Sequence, residues 1–242
     1  MARLKGKVVL VTGGGSGIGL ASARLLHEEG ASVAITGRSA AKLEAAAREL
    51  GGEVFTHAAD LADAVEAVEL VEAVTGQFGP IDVLVANAGA NIKERQFKEL
   101  TPDSWEGLLD ANLNAAFHST HAVLPGMRKR GQGQVIYVNS ISGLRANPLG
   151  GVGYIAAKFA LRGMALGVAA EEKSSGVRFT SIYPGEVNTP ILENRPEPVS
   201  QERKVAMLQP EDVAQAVLFV VSLPPRANVP ELIITPANAV FI

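Results

Sequence analysis

The sequence predicts an α/β fold: a doubly wound parallel sheet of about seven strands with helices on both faces. Three observations predict it. Short apolar, β-branched runs alternate with longer amphipathic segments along the chain. The runs are apolar almost without interruption, as strands covered on both faces must be. Glycine closes several helical segments, at Gly30, Gly51 and Gly176.

The elements follow in order. A first strand at Lys7–Thr12 runs into Gly13-Gly14-Gly15-Ser16-Gly17-Ile18-Gly19, and a helix is expected over Ile18–Glu29. Ser32–Thr36 is the second strand, with a helix at Ala41–Leu50. Glu53–His57 is the third, with a helix at Ala64–Gln77. Val83–Ala86 is the fourth, followed by one long helix at Trp105–Lys129. Gln134–Asn139 is the fifth, with a helix at Ile155–Lys173. Arg178–Tyr183 is the sixth, with a helix at Glu211–Ser222, and Glu231–Thr235 closes the sheet. The expected strand order is 3-2-1-4-5-6-7. No internal repeat or low-complexity linker divides the chain, so residues 1–242 are expected to form one domain. Thr189–Gln209 breaks the alternation with Pro190, Pro196 and Pro198 among charged residues. A long irregular segment in a compact domain is expected to be functional, here a lid over a pocket at 189–209.

Composition narrows the function classes. The chain of 242 residues is 47% hydrophobic and 19% charged, which suits one globular unit with a large core. A formal charge of −3 without a basic stripe points away from nucleic acid. With no cysteine there is neither disulfide nor thiolate metal site, and His27, His57, His118 and His121 lack ligand spacing, so no metal is expected. The opening Met-Ala-Arg-Leu-Lys-Gly-Lys lacks a signal-peptide apolar region. No apolar stretch is expected to reach transmembrane length, so a cytoplasmic location without membrane association is the expectation.

The glycine-rich turn is the first chemical signal. Glycines allow a tight turn and let a pyrophosphate approach bare backbone, and the helix N-terminus adds unpaired N–H groups and a positive dipole end. Gly13, Gly15, Ser16, Gly17, Ile18 and Gly19 are the candidate contacts, in the first strand–turn–helix unit that this reading requires. The second strand ends Thr36-Gly37-Arg38-Ser39. About 20 positions past the glycines, where an acidic residue would take the ribose 2′-hydroxyl of NAD, stands Arg38. A guanidinium suits a 2′-phosphate through charge-assisted bonds of about 1.5–3 kcal/mol. NADP(H) is therefore expected in preference to NAD(H), with Ser39 adding a hydroxyl.

The second signal is Tyr154 with Lys158. They are spaced to share one helix face just after the fifth strand, at the edge where open α/β sheets bind ligands. Carbonyl reduction needs a proton, and free tyrosine titrates near 10. A cation about 4 Å away, at an effective dielectric of about 20, is worth about 4 kcal/mol. Lys158 is thus expected to bring the Tyr154 phenol down towards neutrality. Ser140 ends the fifth strand, where a hydroxyl can steady a substrate oxygen, with Ser142 as the rival. Asp110-Ala-Asn-Leu-Asn114 places three poor helix formers inside the long helix, so a local distortion able to bind water is expected around Asn112.

The spacing Thr12-Gly13-x-x-x-Gly17-x-Gly19 resembles the classical short-chain dehydrogenase/reductase family. Asp60-Leu61, Asn87-Ala88-Gly89, Asn112, Ser140, Tyr154-x-x-x-Lys158 and Pro184-Gly185 follow in the family's order, over nearly the whole chain. The resemblance implies a Rossmann-type NADP(H)-dependent oxidoreductase that moves a hydride between nicotinamide and an alcohol/carbonyl substrate. Tyr154 would be its acid/base and Ser140 would orient the carbonyl. Lys158 would also hold the nicotinamide ribose, and Asn112 would hold a water that relays protons to it. Ser140 is favoured over Ser142 because the family's serine stands three residues before a glycine, here Gly143. Asp60 and Leu61 would meet the adenine, though Asp60 can equally be a helix N-cap. Asn87, with Ala88 and Gly89, would support the cofactor. Val187 and Thr189 in Pro184-Gly185-Glu186-Val187-Asn188-Thr189 would contact the carboxamide. Ser16 departs from many NADP-dependent relatives, which carry a basic residue there. Family members are commonly dimers or tetramers, so a homodimer or homotetramer is expected. The ending, Leu223-Pro-Pro and Glu231–Thr235 with Pro236, resembles the branch of serine/3-hydroxy acid dehydrogenases, and the apolar tail Ala239–Ile242 is expected to pack on another subunit. A reading from another class is a non-catalytic NADP(H)-binding redox sensor. The presence of both Tyr154 and Lys158 favours the enzyme.

Overall fold

The structure, a computed structural model, describes residues 2–51 and 53–239. Its elements are β1 (Val8–Thr12), α1 (Gly17–Glu28), β2 (Ser32–Gly37), α2 (Ala40–Glu49), β3 (Phe55–Ala58), α3 (Ala64–Phe78) and β4 (Val83–Ala86). There follow α4 (Pro102–Leu109), α5 (Ala115–Arg130), β5 (Gly133–Val138), α6 (Val152–Glu171), β6 (Val177–Pro184), α7 (Gln201–Ala206), α8 (Pro210–Val221) and β7 (Glu231–Ile234). The strands form one parallel sheet in the order β3-β2-β1-β4-β5-β6-β7, as the sequence predicts.

Alternation along the strands feeds two cores. Val9, Val11, Val33, Ile35, Val85 and Ile136 face Ala23 and Leu26 of α1 and Val213 and Val217 of α8. Leu10, Leu84, Val135, Tyr137 and Phe179 face Leu70 of α3, Met127 of α5 and Leu161 of α6. With helices on both faces, every residue of β1 is buried, which is why these strands carry no polar face.

The strand order reverses beside β1, so the chain leaves β1 and β4 in opposite directions and a crevice opens at their carboxyl ends. Thr12 spans it. Its Oγ1 accepts the backbone N–H of Asn87 at 3.0 Å and of Ala88 at 2.9 Å, and Asn87 Nδ2 donates to the Thr12 carbonyl at 3.0 Å.

Two segments differ from expectation in instructive ways. The single helix expected over Trp105–Lys129 is two helices, α4 and α5, joined by a π-helical turn at Asp110–Asn114. The poor helix formers are its cause: Asn114 Nδ2 bonds Asp110 Oδ1 at 2.6 Å, and the Asn112 side chain turns inward to bond carbonyls instead of solvent. The distortion expected there is a widened turn. Residues 189–209 are more regular than their prolines predict. They hold a 3₁₀ turn at Pro190–Asn194 and then α7, pinned by a bridge between Val187 and Leu208 and by bonds from Arg195 and Arg203 to Glu186.

A further expectation needs correction. α6 is 20 residues long with a mean hydropathy of 1.3 over its most apolar window, enough by length and composition to cross a bilayer. The apolar count is high because both faces of α6 are apolar: one carries the buried Ala157, Leu161 and Ala165, the other the exposed Val152, Phe159 and Leu166. Of the expected apolar tail, residues 240–242 lie outside the described residues.

The Thr12 junction is testable. Thr12→Val keeps the side-chain shape and removes an acceptor shared by two N–H groups. Loss of about 1–3 kcal/mol is expected, read as a lower urea midpoint with an unchanged slope. A change below about 0.5 kcal/mol would show that the junction contributes little.

Candidate active site

The glycine turn is shaped by close approach. Gly13 has φ +65°, and a Cβ there would stand 2.9 Å from Asn87 Nδ2. At Gly19 a Cβ would fall 2.2 Å from the Gly13 carbonyl oxygen, so the α1 backbone rests directly on the turn. The α1 N-cap, Ser16, makes no side-chain capping bond, which leaves first-turn N–H groups for another acceptor. Ser16, Gly17 and Ile18 line a cleft of about 960 Å³ along the carboxyl ends of the strands.

Strand order lays out this cleft. Arg38 and Lys42, beyond β2, line one end; Gly13, Ser16, Gly17, Ile18, Asn87, Ala88 and Gly89 line the middle. Asn112, Ser140, Tyr154 and Lys158 line the other end with Pro184, Gly185 and Val187, while Thr189 packs against Gly17 in the middle, where a Cβ on Gly17 would stand 3.2 Å from Thr189 Cβ. Five of the expected contacts do not line it. Gly19 supports the turn from below, and a Cβ at Gly15 would face Lys42 Cβ at 3.5 Å. The Ser39 hydroxyl caps α2 by accepting from Lys42 N at 3.4 Å. Leu61 is buried in the core. Asp60 Oδ1 accepts from Ala62 N at 3.1 Å and does not cap α3; that cap is Asp63, accepting from Val65 N at 2.7 Å.

At the Tyr154 end the packing is tight. Lys158 is buried, its Nζ donating to the Val138 carbonyl at 3.3 Å and standing 5.6 Å from the centre of the Tyr154 ring. Asn112, in the π-helical turn, donates to the carbonyls of Ala90 at 2.8 Å and Leu108 at 2.9 Å, and its Oδ1 accepts from Ala90 N at 3.3 Å. Gly89 fits against both: a Cβ there would lie 2.8 Å from Asn112 Oδ1 and 3.6 Å from Lys158 Nζ. Ser140 Oγ accepts the Ser142 N–H at 3.1 Å, at the start of the 3₁₀ turn Ile141–Gly143.

A model of the short chain dehydrogenase family matches residues 7–200. The chain belongs to that family. An uncharacterised oxidoreductase of Staphylococcus aureus (strain USA300) is 34% identical over 237 residues, covering 98% of this chain and 100% of the relative. Among solved structures, an alcohol dehydrogenase from the archaeon Thermococcus sibiricus, complexed with 5-hydroxy-NADP, matches with a TM-score of 0.86 at 31% identity, over 96% of this chain and 97% of that one. A serine dehydrogenase in its closed form, complexed with NADP+, matches with a TM-score of 0.88 at 29% identity, over 97% and 96% of the two chains. This short-chain dehydrogenase is an oxidoreductase that acts on CH–OH groups and uses a nicotinamide nucleotide.

The electrostatics of the dehydrogenase correct one expectation. Tyr154 is half-buried, and desolvation pushes its phenol above the ordinary value; the Ser140 hydroxyl and the Arg95 charge pull only part of the way back. Lys158 does not bring it towards neutrality. Its ammonium lies over the ring face, bonded to a carbonyl, and burial lowers its own pKa to about 8. Of the two serines, the Ser140 hydroxyl is the one whose hydrogen bond lowers the phenol's pKa. Two cleft cations escape a reading of the sequence. Lys42 stands one turn after Arg38, at the start of α2, and this spacing is a signal that could have found it. Arg95 sits in Lys93-Glu-Arg95, which reads as solvated loop charge, yet it is only 5% exposed. Among the described residues no group of side chains could hold a metal ion.

Burial of Lys158 sets a pH dependence. Its pKa falls on folding from 10.5 to about 8, so the folded state binds fewer protons than the unfolded one between those values, and stability rises with pH across that window. Below about pH 8 the full cost of the buried ammonium applies. Lys158→Met is therefore expected to unfold at higher denaturant than the parent at pH 7, with the gap narrowing as pH rises to 10. Denaturant titrations at the two pH values check this; a gap that does not narrow would mean that Lys158 folds in without the penalty.

Proposed function

We propose that this dehydrogenase transfers a hydride between NADP(H) and an alcohol/carbonyl substrate, with Tyr154 as its acid/base. The observation that carries the reading is the convergence of Ser140, Tyr154, Lys158 and Asn112 at one end of a cleft whose other end holds Arg38 and Lys42. The residues fit the nucleotide. Gly13 and Gly19 leave backbone where any Cβ would intrude, and the α1 N-terminus offers N–H groups to a pyrophosphate. Arg38 and Lys42 suit a 2′-phosphate. The acids lining the cleft, Glu186 and Glu193, belong to the segments after β6, away from that end. Val187 and Thr189 line the same cleft and would contact the carboxamide. The NADP ligands of the alcohol and serine dehydrogenases support the same preference.

When bound, the nicotinamide supplies the hydride for reduction and accepts it for oxidation. The chain's own residues manage the proton. Ser140 hydrogen-bonds the substrate oxygen, and Tyr154, whose raised pKa keeps its proton in place at neutral pH, donates that proton as alkoxide character develops. Lys158, titrating near 8, can exchange a proton close to neutral pH, with the inward-turned Asn112 beside it. Thr189–Arg195 and Arg203 line the cleft, which supports reading residues 189–209 as its lid. The working unit is a cytoplasmic homodimer or homotetramer. The exposed Val152, Phe159 and Leu166, spaced at sevens along α6, support self-association, and a monomer mass by light scattering would remove it.

Two variants test the assignment against NADPH and a panel of ketones, oxo acids, aldehydes and quinones. Tyr154→Phe is expected to lower kcat/KM by about 10²–10⁴-fold, the usual contribution of a positioned acid/base. Turnover close to that of the parent would remove Tyr154 from the role. Arg38→Ala is expected to reduce the NADPH-over-NADH ratio of kcat/KM by about 10- to 150-fold. A parent enzyme that uses the two nucleotides equally would overturn the preference.

A further inference from the structure

The substrate end of the cleft is basic. Arg95, Arg145, Arg195 and Arg203 line it against Glu186 and Glu193. Glu186 accepts from Arg195 at 2.7 Å and from Arg203 at 3.0 Å, so both of those guanidiniums have a carboxylate partner. Arg95 is in a different position. It is 5% exposed, and its acceptors are three backbone carbonyls: Ile92 at 2.8 Å from Nε, Leu149 at 2.9 Å from Nη1, and Asn194 from Nη2. Its electrostatic neighbours are Arg195, of like charge, and Tyr154. Among the described residues no carboxylate lies within ion-pair distance of it.

A buried cation without a counter-charge is costly, and three neutral carbonyls offset only part of that cost. A guanidinium carries five N–H groups. The three bonds leave one on each terminal nitrogen, which is the number a carboxylate takes in a two-pronged pair. The plane of the group is also fixed in advance, because its acceptors come from the loops after β4, β5 and β6. Its stem packs on Gly151, where a Cβ would stand 2.6 Å from Arg95 Cβ, three residues before Tyr154.

We propose that Arg95 receives a carboxylate of the substrate, so that the alcohols oxidised are hydroxy acids and the carbonyl compounds reduced are the matching oxo acids. This rests on the oxidoreductase reading above, and the experiment separates the two. The probes are butanoate and butanamide, which have no group to oxidise or reduce. They are titrated into the full chain with saturating nucleotide at constant ionic strength, followed by ligand-detected NMR. The parent is expected to bind the acid about 10- to 150-fold more tightly than the amide, the range for charge-assisted bonds. In Arg95→Met the ratio should fall to near unity, and in Arg95→Lys, which keeps the charge but not the fork, part of it should survive. Equal binding of acid and amide by the parent, no binding of either, or an undiminished ratio in Arg95→Met would overturn the proposal. If Arg95→Met does not fold, Arg95→Lys decides: a reduced ratio supports the proposal, and equal losses for acid and amide make Arg95 a structural tie. Turnover is measured separately with 3-oxobutanoate and its methyl ester. An ester reduced as well as the acid overturns the carboxylate site while leaving the oxidoreductase reading intact. Tight, Arg95-dependent acid binding by a protein that turns over no member of the carbonyl panel supports the site and removes the proposed Tyr154 chemistry.

Discussion

The structure depends on how the ends of β1 and β4 are joined. These adjacent strands send the chain in opposite directions, and the resulting gap needs a tie that does not fill it. Thr12 supplies that tie with one oxygen that accepts two N–H groups from the β4 loop, and the Asn87 side chain returns a bond to the Thr12 carbonyl. Both the glycine turn and the Asn87-Ala88-Gly89 loop are therefore set by a single junction. Residues far apart in the chain reach the same cleft because both loops leave that junction at fixed positions.

The second constraint is desolvation. Lys158 and Asn112 are buried and Tyr154 is half-buried at the same end of the cleft, and each meets the cost differently. Asn112 uses both amide hydrogens and one bond to its oxygen on the backbone of Ala90 and Leu108. Lys158 takes one carbonyl and a ring face, and its pKa falls. Tyr154 keeps its proton more firmly. The π-helical turn makes the first of these possible, since an uninterrupted helix would have kept the residues around Asn112 in the regular ladder.

Much of this was legible in the sequence. The parallel sheet covered on both faces followed from alternation, its strand order from the Rossmann-type resemblance, and the glycine turn from spacing in its strand–turn–helix context. The helix distortion followed from three poor helix formers placed together in Asp110–Asn114. What escaped depends on distances between segments. Spacing puts Lys158 and Tyr154 on one helix face, but it does not say whether the ammonium meets the phenol oxygen or the ring. Asp60 and Asp63 are equivalent as caps until the start of α3 is known. Arg95 lies in a charged loop whose pattern is that of exposed residues; its burial is created by Leu149 and Asn194, both more than fifty residues away.

Strand ends and loops divide the work accordingly. The carboxyl ends of β1, β2 and β4 carry backbone geometry and one basic end, requirements set by a nucleotide and independent of what is oxidised or reduced. The wall at the Tyr154 end comes instead from the loops after β4, β5 and β6, which are free to vary around a rigid sheet. Those three loops meet at one guanidinium: Ile92, Leu149 and Asn194 all offer it their carbonyls. Leu149 lies two glycines before the helix that carries Tyr154, and Asn194 belongs to residues 189–209. An anion held by Arg95 would thus touch a group already tied to both the proposed acid/base and the proposed lid. Recognition of the substrate and closure over it would then act through the same side chain.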